Sequence, residues 1–368
     1  MLLAAILVAN SLATLNAQNY SLYVSDAGNF SSPPWQILKF DANGQNGQVL
    51  VNHHLAWPQD IFFLEDGTTM LVSNLNNGRI TKFNANSGAH LGEFATGIGG
   101  PTRMKLGPDS LLYVLQWQGT GKVKRYSLAG AFVDDFTATG VPASIGLDWD
   151  TAGNLYVSSY SGKYVRKFSP TGANLGNFIS SNLVGPTNIW FEENGDLMVI
   201  DYEGGSVKRF DSQGNYKGIF ISGLPNGEGV DFLPNGNILI GSGGTSSVRV
   251  YDAAGTLLST LVQPGTLNLL VPNAVVLRPT PASGTQEAYR EMAFVAPTVG
   301  TLFQLANPQD MEQVKTMEVY NSAGVFVRKI NFADSTTWDA SNLAAGIYYI
   351  TAKLPDGVIG RQTVVVQR

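Results

Sequence analysis

Three aromatic residues occupy equivalent places in successive segments of the chain. Each follows directly after a short apolar run that ends in a polar residue; the three pairs are Gln116-Trp117, Ser159-Tyr160 and Asp201-Tyr202. Aromatic faces pack against the apolar C–H surface of sugar rings, and neighbouring polar groups bind the hydroxyls. The pattern therefore predicts a ligand-binding surface, with packing between neighbouring structural units as the open alternative.

A second set of polar residues lies near the starts of other apolar runs. Its members are Asp60, Arg103, Ser144, Asn188, Glu228 and Asn273. Such residues bind polar ligand groups in some proteins, and in others they end strands at a wet surface and cap the next turn. Both interpretations stay open. The predicted ligand-binding set is Trp117, Tyr160, Tyr202, Gln116, Asp201, Asn188 and Arg103.

No arrangement of residues predicts catalysis. The chain has three histidines and no cysteine, which excludes disulfides and thiolate metal sites. No Ser or Asp partner can be placed beside His54 to make a nucleophilic triad. Asp148 to Gly153 superficially resembles a calcium loop, but it lacks the distal bidentate Glu and is interpreted as a turn. We therefore expect a binding protein without a cofactor, and an enzyme remains the alternative.

Composition excludes two classes of partner. The net charge is −5, only 14% of residues are charged, and no basic run provides a footprint for nucleic acid. No apolar stretch is long enough to be a transmembrane segment. The short apolar run from Leu2 to Ala9, followed by Leu15-Asn16-Ala17, predicts a signal peptide over 1–17 and an exported chain, although no basic residue precedes Lys39. A buried N-terminal element is the alternative.

An internal repeat must position these residues. Prolines 58, 101, 142 and 186 each begin a similar unit of strand, turn and three further strands. A period of about 40 residues is typical of propeller blades or a solenoid. The 41 glycines suit many tight turns between short strands.

The third strand of each unit fixes the number of blades. It alternates apolar, basic and aromatic residues, as in Val207-Lys208-Arg209-Phe210, and six such strands occur. The mature chain opens on a second strand at Leu22, and the missing first strand follows the sixth unit, over Val271 to Leu277. The sequence thus predicts an all-β fold: a six-bladed β-propeller closed by strands from both ends, followed by a small C-terminal β-sandwich domain.

The segment from Pro186 to Phe210 resembles an NHL repeat, and residues 20 to 278 resemble the six-bladed propellers that include gluconolactonase-like and virginiamycin-lyase-like proteins. In such enzymes the mouth of the channel holds a divalent metal on carboxylates and amides. This resemblance implies, as the alternative function, a metal-dependent lactonase or lyase with Ca²⁺ or Mg²⁺. The residues that imitate the metal cluster are Asp60, Asn188, Asp201 and Glu228.

The C-terminal segment has a different pattern. A hairpin follows around Asn321 to Gly324, then Asn342-Leu343 with Gly346-Ile347-Tyr348, and a valine-rich strand with a basic end. It resembles the sorting domain of the type IX secretion system of Bacteroidota, although the usual Pro-Asn-Pro entry is incomplete at Asn307-Pro308. A small β-sandwich without this role is the alternative.

The resemblance implies that the secretion machinery is a partner and that the protein is secreted or lies on the outer cell surface. The aromatic residues Trp117, Tyr160 and Tyr202 predict that it binds a glycan, peptide or surface protein there. The predicted organisation is a signal peptide over 1–17, the propeller over 18–278, a linker over 279–288 and the sorting domain over 289–368.

Overall fold

The computed structural model describes residues 20–279, 290–306, 316–321, 326–331, 336–343, 345–354 and 359–367. The predicted signal peptide and residues 280–288 of the predicted linker lie outside this set. The chain divides into two compact units, Met1–Pro281 and Ala282–Arg368. Within the described ranges, no helix has the length and apolar character needed to cross a bilayer.

The first unit contains six antiparallel sheets of four strands, which confirms the predicted propeller. Each sheet is a blade, numbered here from the N-terminus. From first to fourth strand, blade 1 is Pro272–Pro279, Tyr20–Asp26, Gln36–Asp41, Gln48–Val51; blade 2 is Pro58–Phe63, Thr69–Asn74, Arg79–Asn84, His90–Ala95; blade 3 is Pro101–Leu106, Leu112–Gln116, Lys124–Tyr126, Phe132–Asp135. Blade 4 is Ser144–Trp149, Leu155–Ser159, Tyr164–Phe168, Asn174–Ile179; blade 5 is Pro186–Phe191, Leu197–Asp201, Ser206–Phe210, Tyr216–Ile221; blade 6 is Gly227–Phe232, Ile238–Ser242, Ser247–Tyr251, Leu257–Val262. Two short 3-10 turns, Gly243–Thr245 and Thr266–Asn268, complete the described unit.

Blade 1 closes the ring as the sequence predicts. Its first strand comes from the C-terminal side of the unit and pairs antiparallel with the first described strand of the chain, with Val24 opposite Val275 and Tyr20 opposite Pro279. This pairing satisfies backbone groups that an open array would leave on a bare edge.

Hydrophobic cores lie between adjacent blades. The aromatic residue at or near the end of each third strand is buried there, and Phe40, Phe83, Phe168 and Phe210 have at most 1% of their surface exposed. The basic residues beside it stay partly exposed, because alternate side chains of a strand point to opposite faces. Burial of each large apolar side chain contributes roughly 1.5–3 kcal/mol to the free energy of unfolding. The alternation along the third strand therefore stabilises the packing of each blade against its neighbour.

The second unit has a six-stranded and a three-stranded sheet around one core. Its strands are Arg290–Glu291, Val295–Ala296, Val299–Gly300, Leu302–Leu305, Thr316–Asn321, Phe326–Asn331, Thr337–Asp339, Gly346–Lys353 and Ile359–Val366. Phe303 and Trp338 of the small sheet share the core with Val319 and Ile350 of the large one, as in a β-sandwich. The entry at Asn307-Pro308 and the turn at 322–325 lie outside the described residues.

Candidate ligand-binding site

The first and second strands of every blade meet at one face of the ring. Pro58 lies opposite Asn74, Pro101 opposite Gln116, and Pro186 opposite Asp201. The polar residues that end the second strands therefore gather around one mouth of the channel, as the repeat predicts. We call this end of the propeller the mouth.

The polar residue at the end of each second strand bonds to the segment that leads into its own first strand. The six residues are Asp26, Asn74, Gln116, Ser159, Asp201 and Ser242, and their partners are Val271 N, Ala56 N, Gly99 N, Pro142 O, Gly185 N and Pro225 O. We call these six side chains the latch residues. Their repetition in every blade shows that they serve the fold.

Two predicted ligand-binding residues, Gln116 and Asp201, are latch residues. Gln116 accepts the Gly99 N–H at 3.0 Å and donates to the Lys122 carbonyl at 2.7 Å, and only 2% of it is exposed. Asp201 is fully buried, accepts the Gly185 N–H and forms an ion pair of 2.6 Å with Lys208. These contacts occupy the polar atoms of both side chains inside the protein.

The residue that directly follows each latch residue is held by its backbone and not by its side chain. Its N–H donates to a carbonyl in the same lead-in segment, at 2.8–3.1 Å; the six residues are Ala27, Leu75, Trp117, Tyr160, Tyr202 and Gly243. Their side chains are therefore free to vary, and in blades 3 to 5 they are Trp117, Tyr160 and Tyr202. All three are partly exposed.

These three aromatic side chains line a cavity of about 380 Å³, which falls at the small end of the range of roughly 300–1,000 Å³ for small-molecule sites. The other lining residues are Phe30, Trp57, Gln59, Leu75, Ile145, Glu203, Glu228 and Asn273. The structure thus brings the three predicted aromatic residues into one site. It adds Phe30 and Glu203, for which the repeat gave no signal, and Leu75, which has in blade 2 the position of the three aromatic residues.

The aromatic rings of the cavity are steeply inclined to one another. Trp117 and Tyr160 have ring centroids 5.6 Å apart and planes at 44°, and Tyr160 and Tyr202 are 6.1 Å apart at 72°. Phe30 and Trp57 form a second pair, 5.2 Å apart at 59°. The rings are therefore walls of a concave site rather than one flat platform.

Phe30 reaches the cavity from the insertion between the second and third strands of blade 1. The indole N–H of Trp35 donates to the Phe30 carbonyl at 2.9 Å, so that Trp35 positions the loop. Phe30 and Trp57 both have positive φ, 59° and 55°, which is uncommon for bulky residues. Phe30 is 40% exposed although it is large and apolar. Backbone of this kind is more frequent at ligand sites than elsewhere.

Three buried polar atoms of the cavity lining lack a hydrogen-bond partner: Glu228 Oε1, Asn273 Oδ1 and Trp57 Nε1. Only 6% of Glu228 and 1% of Asn273 are exposed. An unsatisfied buried polar group costs about 1–3 kcal/mol, and ordered water or a ligand would remove that cost. These atoms mark positions where a bound molecule would be recognised.

Glu228 belongs to a charged cluster inside the channel. Arg103 donates to Asp60 at 2.7 Å, and its guanidinium lies 3.8 Å from Glu228 Oε1. Burial raises the pKa of Glu228 to about 7, with Arg103 opposing that shift and Asp60 adding to it. Burial also raises the pKa of Asp60, against the effect of Arg103. Glu228 therefore changes its charge near neutral pH.

The four predicted metal ligands, Asp60, Asn188, Asp201 and Glu228, have other partners. Arg103 already supplies the positive charge between Asp60 and Glu228, while Asp201 is paired with Lys208. The Asn188 amide donates to the Glu228 carbonyl at 2.7 Å. Within the part of the chain that the structure describes, no group of three or more His, Asp or Glu side chains is arranged to hold a metal. The donor set does not fit a divalent cation, and we assign none.

The three histidines lie together away from the cavity lining. His54 and His90 stack with centroids 3.9 Å apart, and His53 lies 5.3 Å from His54. All three are exposed. None lines the cavity, so they provide no general base there.

Comparison with known proteins places the fold but not the function. No family model and no curated protein match the chain. Solved structures do: a chain of a nidogen/laminin complex has a TM-score of 0.56 at 14% identity, covering 70% of this chain and 98% of that one. A protein of unknown function from Bacteroides caccae has a TM-score of 0.55 at 15% identity, and the match covers 70% of this chain and 98% of that one. A putative gluconolactonase has a TM-score of 0.49 at 16% identity, and the match covers 57% of this chain and 79% of that one. At such identities the likeness to the first two shows a shared propeller fold alone.

Proposed function

We propose that this chain is an exported β-propeller that binds its ligand in the aromatic cavity at the mouth and does not convert it. One observation carries the proposal: five aromatic side chains line the same cavity as Glu228 and Asn273, each of which has a buried oxygen atom without a hydrogen-bond partner. The cavity admits one sugar residue of a glycan or one side chain of a peptide or surface protein.

A binding screen tests this function. The protein is applied to glycan and peptide arrays beside a triple variant, Trp117→Ala, Tyr160→Ala and Tyr202→Ala. We expect hits that the variant loses while it keeps a cooperative thermal transition, because the latch residues are unchanged. A variant that binds its hits as well as the wild type does would refute the proposal.

An enzyme is the second candidate, and Glu228 favours it. A buried carboxyl group with a pKa near 7 in a ligand-sized cavity suits general acid–base chemistry, in which it would give or take a proton at the substrate. Turnover of lactones or polysaccharide fragments that disappears in Glu228→Gln would establish it. Ligand binding without turnover in both proteins would support the non-catalytic function.

For the C-terminal unit we propose a role in sorting by a type IX secretion system. The resemblance of Asn342 to Tyr348 to such domains supports it, together with a compact core distinct from the propeller. Deletion of residues 290–368 should leave a folded propeller that stays in the periplasm. Equal amounts of the deleted and intact protein at the cell surface would contradict this role.

A further inference from the structure

We propose that the aromatic cavity binds an alkylated ammonium cation, carried by a small molecule or by a peptide side chain. This inference rests on the proposed binding function and names the chemical class of ligand for the same cavity.

The ring geometry is the first argument. A sugar stacks through one flat face, whereas the ring planes here differ by 44°, 59° and 72° within the adjacent pairs. Inclined walls suit a compact, nearly spherical group that touches several rings at once. Quaternary and alkylated ammonium groups have this shape, and their charge is attracted to the negative faces of aromatic rings.

The charge of the lining is the second argument. Glu203 and Glu228 line the cavity, and no Lys, Arg or His is among its lining residues. Burial raises the pKa of Tyr202 above its ordinary value, and the negative charges of Glu228 and Glu203 raise it further. Both carboxylates therefore act on the space that the ring of Tyr202 borders. An anionic ligand would be repelled there, and a cation attracted.

The burial of Glu228 is the third argument. Its Oε1 atom has no hydrogen-bond partner, and the nearby Arg103 is already bonded to Asp60 at 2.7 Å. Charge interactions are stronger where water is excluded. Glu228 therefore shares its counter-charge with Asp60, and a cation in the cavity would add a second one while the rings receive its alkyl groups.

The test compares two ligands of the same shape. Choline and its neutral carbon analogue, 3,3-dimethyl-1-butanol, are titrated by calorimetry into the full chain at a pH above 7, where Glu228 is ionised. We expect choline to bind at least about tenfold more tightly, because a desolvated cation–π site discriminates by charge. A short peptide with one trimethyllysine forms a second arm. Tighter binding of the peptide would indicate a side chain as the source, and tighter binding of choline a free molecule.

Matched variants separate the cause from simple packing. Trp117→Leu and Tyr202→Leu keep an apolar side chain but remove the ring, so choline should lose affinity while the neutral analogue changes little. Glu203→Gln removes one charge at an exposed residue and should weaken choline alone. Phe132→Leu changes a 54% exposed ring outside the cavity and should alter neither ligand.

Two results would overturn the inference. Equal affinity for choline and its neutral analogue is one, and absence of binding of both choline and the trimethyllysine peptide in the millimolar range is the other. If an array sugar binds and Trp117→Leu abolishes that binding, the proposed function stands without the cation. If neither the arrays nor the cations yield a ligand, both proposals fail.

Discussion

Two neighbouring positions in each blade, the latch residue and the residue after it, have opposite roles at the same mouth. The latch residue is polar in all six blades and is bonded to its own lead-in segment. The following residue varies from Gly and Ala to Trp and Tyr, because only its backbone is used. A polar group at a wet mouth is therefore weak support for a binding site. A large exposed side chain that the fold does not need is stronger support.

The largest expected effect comes from removing the lead-in of blade 1. A chain that ends at Thr266 lacks the strand Pro272–Pro279. It also lacks the N–H groups of Leu270 and Val271, from which Asp26 accepts hydrogen bonds. We expect loss of cooperative unfolding, because blade 1 would expose its edge and blade 6 would expose the core that it shares with blade 1. A chain that ends at Pro281 is the control. Indistinguishable melting curves of the two chains would contradict closure by this strand.

Substitution of a single latch residue should lower the free energy of unfolding by less than the loss of the closing strand does, but the decrease should still be large. Asp201→Ala leaves Lys208, whose side chain is only 13% exposed, without its carboxylate and removes the acceptor of the Gly185 N–H. Breaking such a buried pair costs about 3–5 kcal/mol in the free energy of unfolding, measured with urea. Glu203→Ala, two residues away and exposed, removes only the acceptor of the Tyr160 hydroxyl and should change it by about 1 kcal/mol. Similar costs for the two variants would remove the distinction between latch and cavity.

Glu228 should make stability depend on pH. Its pKa rises from 4.5 to about 7 on folding, so between these values the folded protein keeps a proton that the unfolded chain has lost. Stability therefore falls as pH rises through this window, by roughly 3 kcal/mol in total. Glu228→Gln should lack this contribution, whereas that of Asp60 stays in both proteins. Parallel pH profiles of wild type and variant in urea unfolding would contradict the shift.

The smallest expected change in stability belongs to the cavity rings. Trp117→Ala removes a partly exposed ring and should lower the free energy of unfolding by only about 1 kcal/mol. Phe168→Ala, a fully buried ring between blades 3 and 4, should lower it by about 3–5 kcal/mol. Thermal and urea unfolding of both variants decide the point. A cost for Trp117→Ala as large as that for Phe168→Ala would mean that Trp117 serves packing between blades.

Local patterns carried most of the fold prediction. Strand alternation and turn glycines repeat in each unit, and the missing first strand at Val271 to Leu277 indicated how the ring closes. The same repeat put Trp117, Tyr160 and Tyr202 in equivalent places. Equivalent places in a ring lie around one mouth, so their convergence could be predicted from sequence.

Side-chain partners could not be predicted in the same way. Gln116 and Asp201 bond to backbone groups in lead-in segments, and only the folded chain brings these together. One signal was available, because every blade ends its second strand in a polar residue, which indicates a structural role. Phe30 has no equivalent in other blades, since it comes from an irregular insertion. The inclination of the rings likewise depends on packing that the repeat does not encode.

Closure through blade 1 also fixes where the chain enters and leaves the propeller. Tyr20 and Pro279 are paired neighbours, and they lie at the ends of their strands opposite to the mouth, where Asp26 meets Pro272. Tyr20 and Pro279 are therefore at the end of the described propeller that lies away from the aromatic cavity. Neither of these two chain ends obstructs the entry of a ligand from the mouth.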